Sequence, residues 1–110
     1  MNTKIAIKTY KNAISSYSQN MEHLKEMQNI LMEINRECST VKDIDDALDL
    51  CRQCIYRMKI VLKSLTTGDV RYLDGQMSIV KNLTNDFMTI TNKINHDVIA
   101  LRIMYSLSLR

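Results

Sequence analysis

The sequence has no proline and no tryptophan, and its two glycines are Gly68 and Gly75. Proline and glycine are the residues that most often mark turns, and sandwiches and barrels of short strands need many turns. Aromatic residues make up only 5% of the chain, whereas methionine occurs eight times. That balance favours helix formers over the aromatic residues that strands prefer. The composition therefore argues against an all-β fold.

None of three successive blocks of the chain carries charge of mainly one sign. When the sequence is divided after residues 38 and 68, each of the three blocks has five Lys/Arg and four Asp/Glu, within a net charge of +3. This distribution indicates neither a basic nucleic-acid arm nor an acidic tail. The chain also lacks an apolar run long enough to cross a bilayer, and its first residues lack the apolar core of a signal peptide. We therefore expect a cytoplasmic protein.

Cysteine is present in an odd number, as Cys38, Cys51 and Cys54. Free thiols in a reducing compartment explain three cysteines more simply than a disulfide framework does. Cys51 and Cys54 have C-x2-C spacing, but a structural zinc site needs a second pair of ligands. Both also fall on or beside an apolar stripe, where cysteine behaves as a small hydrophobe. We expect no metal and no cofactor.

The apolar residues recur every three or four positions along nearly the whole chain. This spacing places them on one face of an α-helix. We predict an all-α fold of three long antiparallel amphipathic helices, approximately 3–38, 41–66 and 70–105, in a single coiled-coil-like bundle domain that covers 1–110. The predicted stripes are Ile7, Tyr10, Ile14, Tyr17, Met21, Leu24, Met27, Leu31, Ile34 and Cys38; Val41, Ile44, Leu48, Cys51, Ile55, Met58, Leu62 and Leu65; and Leu73, Met77, Val80, Leu83, Phe87, Ile90, Ile94, Val98 and Leu101.

Local signals indicate where the second helix begins and ends. Thr40 and Asp43 have the spacing of a capping pair. Gly68 is suited to the left-handed conformation that ends many helices, and Asp69 to capping the third helix. Acidic residues in the first turns of the second helix, followed by basic residues toward its end, match the arrangement that complements a helix dipole.

Three short motifs suggest chemistry. His96-Asp97 on an amphipathic helix resembles the phosphoacceptor box of dimerising histidine-kinase domains, and His23-Leu24-Lys25 is similar to phosphotransfer domains. Asp45-Asp46-Ala47-Leu48-Asp49 has the D-D-x-x-D spacing with which helical prenyl-diphosphate enzymes hold Mg²⁺. Each resemblance covers only these residues, and a solvated helix edge or the helix dipole accounts for them. We expect no enzymatic activity, with a phosphotransfer or metal-dependent helical protein as an alternative.

The stripes are wider than three slender helices need for their own core. Surplus apolar surface on a helical protein is typical of a protein–protein interface. We predict a non-enzymatic interaction module, such as an adaptor, a secretion-type chaperone or an assembly or inhibitor factor, that forms a homodimer or binds a partner helix. The predicted partner-binding residues are Ile5, Ile7, Ile99, Ile103, Met104 and Leu107.

Three lysines on one helix face suggest nucleic-acid binding as an alternative function. Lys4, Lys8 and Lys11 are spaced by four and three, so they share one face of the first helix. A small nucleic-acid-associated regulator or complex subunit could use such a face. The even charge distribution makes this the less expected function.

Overall fold

The protein is a bundle of three long helices. The computed structural model describes the backbone of residues 2–108 and the side chains of residues 2–104. Thr3–Ile34 forms α1, Ser39–Thr67 forms α2 and Leu73–Ser108 forms α3, and the described residues include no strand. The bundle extends over 60 × 20 × 18 Å. The prediction of an all-α fold of three long helices is confirmed.

Polar contacts show that α2 runs antiparallel to both of its neighbours. Gln28 on α1 donates a hydrogen bond of 2.7 Å to the carboxylate of Asp45, near the start of α2. Lys93 on α3 forms an ion pair of 3.0 Å with Asp43. Among the described residues no Cα atom of α1 lies within 8 Å of a Cα atom of α3. Helix α2 therefore makes the close backbone contacts with both neighbours, whereas α1 and α3 run parallel to each other and meet through side chains.

The core follows from this arrangement. Because α2 has a neighbour on two sides, it buries nine residues, whereas α1 buries three. The buried residues of α1 and of α3 recur every seven positions, as expected for a single seam facing a partner. Where the outer helices approach, the rings of Tyr17 and Phe87 lie 5.1 Å apart and are tilted by 55°. The buried apolar residues are Tyr17, Leu24, Leu31, Ile44, Ala47, Leu48, Cys51, Cys54, Met58, Val61, Leu65, Leu73, Val80, Phe87 and Ile94.

The first turn lies earlier than predicted, because α1 ends at Ile34 rather than at residue 38. Asn35 is extended, and its side-chain oxygen accepts a hydrogen bond of 3.0 Å from the backbone N–H of Glu37. Such local bonds compete with the helical backbone. Ile34, predicted as a stripe residue, is therefore 71% exposed.

Helix α2 begins at Ser39 after Cys38, which provides no side-chain cap, and Thr40 lies buried inside the first turn. The predicted Thr40 cap is wrong.

At the second turn, the prediction for Gly68 is confirmed and the prediction for Asp69 is wrong. Gly68 adopts the left-handed conformation with φ 79°, and its N–H donates to the carbonyl of Ser64 at 3.0 Å. Asp69, predicted to cap α3, instead accepts hydrogen bonds from the backbone and the guanidinium of Arg71. Helix α3 consequently begins at Leu73, three residues later than predicted, and it continues three residues beyond the predicted end, to Ser108.

Candidate functional site

The C-terminal end of α3 projects beyond the rest of the bundle. The hydroxyl groups of Tyr17 and Thr84 are 3.1 Å apart, so these residues lie at one level of the parallel helices α1 and α3. Because every α-helical residue rises by the same 1.5 Å, the end of α1 at Ile34 lies near the level of Leu101. Helix α3 continues for roughly 10 Å beyond that level. Within residues 2–108, its last two turns therefore lie past the ends of α1 and α2.

The projecting end and the adjacent end of α1 expose large apolar side chains. Ile99 and Ile103 are 57% and 56% exposed, and Met104 is 65% exposed. We call these three residues of α3 the α3-end surface. Ile30 and Ile34, at nearly the same level on α1, are also exposed. All three residues of the α3-end surface belong to the predicted partner-binding set; Leu107, also in that set, lies outside the residues whose side chains are described.

The other two predicted partner-binding residues lie at the opposite end of the bundle. Since α1 and α3 run parallel, the start of α1 is far from the end of α3. Ile5 is exposed there, near the turn that carries the exposed side chains of Val70 and Tyr72. Ile7 is half-buried and packs against the core. The six residues therefore do not form one continuous surface.

Charge is segregated along the bundle in a way that the sequence order conceals. Residues 2–21 and 50–68 contain seven Lys/Arg and no Asp/Glu, whereas residues 22–49 contain eight Asp/Glu and three Lys/Arg. Antiparallel packing brings the first two segments together and thereby adds Arg52, Lys59 and Lys63 to the half that carries the exposed Lys4, Lys8 and Lys11. The three predicted lysines thus belong to a larger basic region of α1 and α2, and the nucleic-acid role assigned to them stays a prediction.

The C-x2-C pair lies in the middle of the core. Cys51 and Cys54 are both completely buried, and Cys38 is half-buried. Burial raises the pKa of the Cys51 thiol from 9.0 to about 12, with a smaller contribution from Cys54. Burial also raises the pKa of Cys54, while the Tyr17 and Thr84 hydroxyls lower it. Both thiols are therefore held protonated, and a protonated buried thiol is neither a nucleophile nor a metal ligand.

The histidines and aspartates of the short motifs do not converge on a site. His23 and His96 are exposed on different helices. Within the described part of the chain, no three His, Cys, Asp or Glu side chains lie close enough together to hold a metal ion. A shallow hollow lined by Asn29, Met32, Glu33 and Arg36 lies at the end of α1 and the turn that follows it, so a ligand there would meet no group from α2 or α3. The phosphotransfer alternative stays a prediction.

Two further findings concern the chain as a whole. None of the helices, as far as the structure describes them, combines the length and apolar character required to traverse a lipid bilayer. The chain matches no protein-family model, no curated protein and no solved structure. The candidate surfaces are therefore assigned from their own geometry and chemistry.

Proposed function

We propose that this chain is a non-enzymatic protein-interaction module that docks a partner protein through the α3-end surface. The observation that supports the proposal is the projection of α3 past the other two helices, with Ile99, Ile103 and Met104 each more than half exposed. Isolated exposed apolar side chains are common on proteins, but several at one end of a helix indicate a contact surface.

The chemistry of this surface favours an apolar partner. Burying an isoleucine or methionine side chain contributes about 1.5–3 kcal/mol, so three of them supply several kcal/mol toward the cost of association. Arg102 is the charged residue among 99–104, and it leaves the apolar surface largely uninterrupted. An amphipathic helix or an apolar groove of another protein fits such a surface.

The proposal extends to a role as an adaptor, a secretion-type chaperone or an assembly or inhibitor factor in a reducing compartment such as the cytoplasm. The unpaired state of Cys38, Cys51 and Cys54 supports a reducing location. The buried, protonated thiols supply no nucleophile and therefore support a role without catalysis.

Site-specific photocrosslinking tests the docking surface. A photoreactive amino acid is placed at Ile103 in one variant and at Met88 in another, in cells that naturally produce the chain. Both side chains are 56% exposed and both lie on α3, so they are matched in accessibility and differ in position. We expect one discrete protein adduct from position 103 and none from position 88. Equal adducts from both positions, or none from either, would contradict the proposal.

A further inference from the structure

One row of exposed side chains runs along the outer side of α2. Its members are spaced by four and three residues, so they lie on one exposed face of the helix, away from the buried side; at one end of the row Asp45 contacts Gln28 of α1 at 2.7 Å. The row is acidic toward the start of α2 and basic toward its end, with an exposed tyrosine between the basic residues. It consists of Asp45, Asp49, Arg52, Tyr56, Lys59 and Lys63.

The charges of this row have no ionic partner within the described chain. Among the side chains of residues 2–104, the protein has two ion pairs within 4.0 Å, Arg71–Asp69 and Lys93–Asp43, and neither includes a residue of the row. Asp45 and Asp49 accept hydrogen bonds only from the neutral amides of Gln28 and Gln53.

The helix dipole does not explain the row either. A helix dipole acts within the first and last turn, and α2 has no acidic residue in its first turn and no basic residue in its last. Asp45 is already six residues past Ser39, where the helix begins. The separation of charge along α2 is therefore explained neither by ion pairs within the described chain nor by the helix dipole.

The row is complementary to itself when it is reversed. If a second α2 lies antiparallel against the first, with a two-fold axis at the level between Arg52 and Tyr56, Asp45 faces Lys63 of the second copy and Asp49 faces Lys59 of the second copy. Arg52 then faces Tyr56 of the second copy, whose ring already has the guanidinium of Arg57 of its own chain 5.7 Å from its centroid. The two-fold axis repeats every pair, so four carboxylate–ammonium pairs form over roughly 27 Å of helix. A parallel pairing would instead bring like charges together.

We infer that the chain forms an antiparallel homodimer through this row on α2. Charge complementarity of this kind selects the orientation and register of two surfaces more than it adds affinity. Exposed ion pairs contribute little and are screened by salt. The dimer is accordingly weak and salt-sensitive. It uses a different surface from the α3-end surface, which stays free for another protein, so the inference does not depend on the proposed function.

A charge-swap experiment tests the dimer. One variant carries Asp45→Lys and Asp49→Lys, and the other carries Lys59→Asp and Lys63→Asp; each is examined by sedimentation equilibrium at low salt, alone and as an equimolar mixture. We expect the dimer dissociation constant of each variant alone to rise by about a hundredfold or more, because four attractive pairs become repulsive. In the mixture, attractive pairs form between the two variants, so a heterodimer should regain at least the affinity of the original chain.

The controls separate dimerisation from folding and from other partners. Circular dichroism of each variant checks that the helices persist. A matched variant, Lys81→Asp with Asp86→Lys, changes exposed charges on α3 and should leave the dimer unaffected.

A chain that stays monomeric at every concentration at low salt, or a mixture that gains no affinity, overturns the inference. So does a monomer that binds a duplex oligonucleotide and loses that binding in the Lys59→Asp, Lys63→Asp variant, which would assign the basic residues to nucleic acid. Photocrosslinking at position 103 is independent of each result.

Discussion

Tyr17 illustrates how a polar group is accommodated in a core that is otherwise apolar. The Tyr17 hydroxyl lies 3.1 Å from that of Thr84, and burial raises the pKa of Tyr17 while this hydrogen bond lowers it by a smaller amount. A hydrogen bond of this kind contributes about 0.5–1.5 kcal/mol net, mainly because an unpaired buried hydroxyl would cost more. The contact joins the two outer helices, whose backbones do not meet.

The buried thiol of Cys51 predicts a dependence of stability on alkaline pH. Its pKa is 9.0 when exposed and about 12 in the folded chain. Above pH 9 the unfolded chain loses this proton and the folded chain keeps it, so stability present below pH 9 is lost as pH rises toward 12. We expect the free energy of unfolding to fall by up to about 1.4 kcal/mol per pH unit from this group.

Urea unfolding from pH 8 to pH 10.5 under reducing conditions, compared with the Cys51→Ala variant, measures this contribution. The variant retains the titration of every lysine and tyrosine but lacks the Cys51 thiol, so the difference between the two slopes isolates that thiol. The same pH dependence in both chains would show that Cys51 is not held protonated by the fold.

At the scale of the elements, the two glycines predict opposite effects. Gly68 has φ 79°, a conformation that L-residues adopt at a cost, whereas Gly75 lies within α3, and an added Cβ would meet no atom within 4 Å at either position. Gly68→Ala should destabilise the protein by about 1–2 kcal/mol. Gly75→Ala should stabilise it by about 0.5–1 kcal/mol, because alanine favours the helix. Urea unfolding of both variants checks the signs, and two changes of the same sign would contradict this account.

The helices themselves could be predicted from the sequence, and their ends could not be predicted fully. Apolar spacing identified α2 correctly, because a seam such as Ile44, Cys51, Met58 and Leu65 is a property of many residues together. The ends depend on single side chains. The Asn35 amide ends α1 early and the Asp69 carboxylate bonds to Arg71, and the sequence offers Asn and Asp equally as caps and as turn formers.

At the scale of the whole molecule, the surface features arise from how the helices are arranged. The division of the sequence into three blocks concealed the charge separation, because only antiparallel packing places residues 2–21 beside residues 50–68. The apolar residues at the end of α3 were named from the sequence, but the exposure of Ile30 and Ile34 was not. These two residues are exposed where α1 ends, near the level of Leu101, a relation that depends on turn lengths and register.

The central claim is that the side chains at the end of α3 serve docking rather than folding. Replacing Ile99, Ile103 and Met104 together with serine tests it, since serine has nearly the helix propensity of isoleucine. In urea unfolding at low protein concentration, we expect the free energy of unfolding to change by less than about 1.5 kcal/mol in total, as for surface substitutions. A loss of about 2–5 kcal/mol for each side chain, the value typical of core positions, would contradict the account.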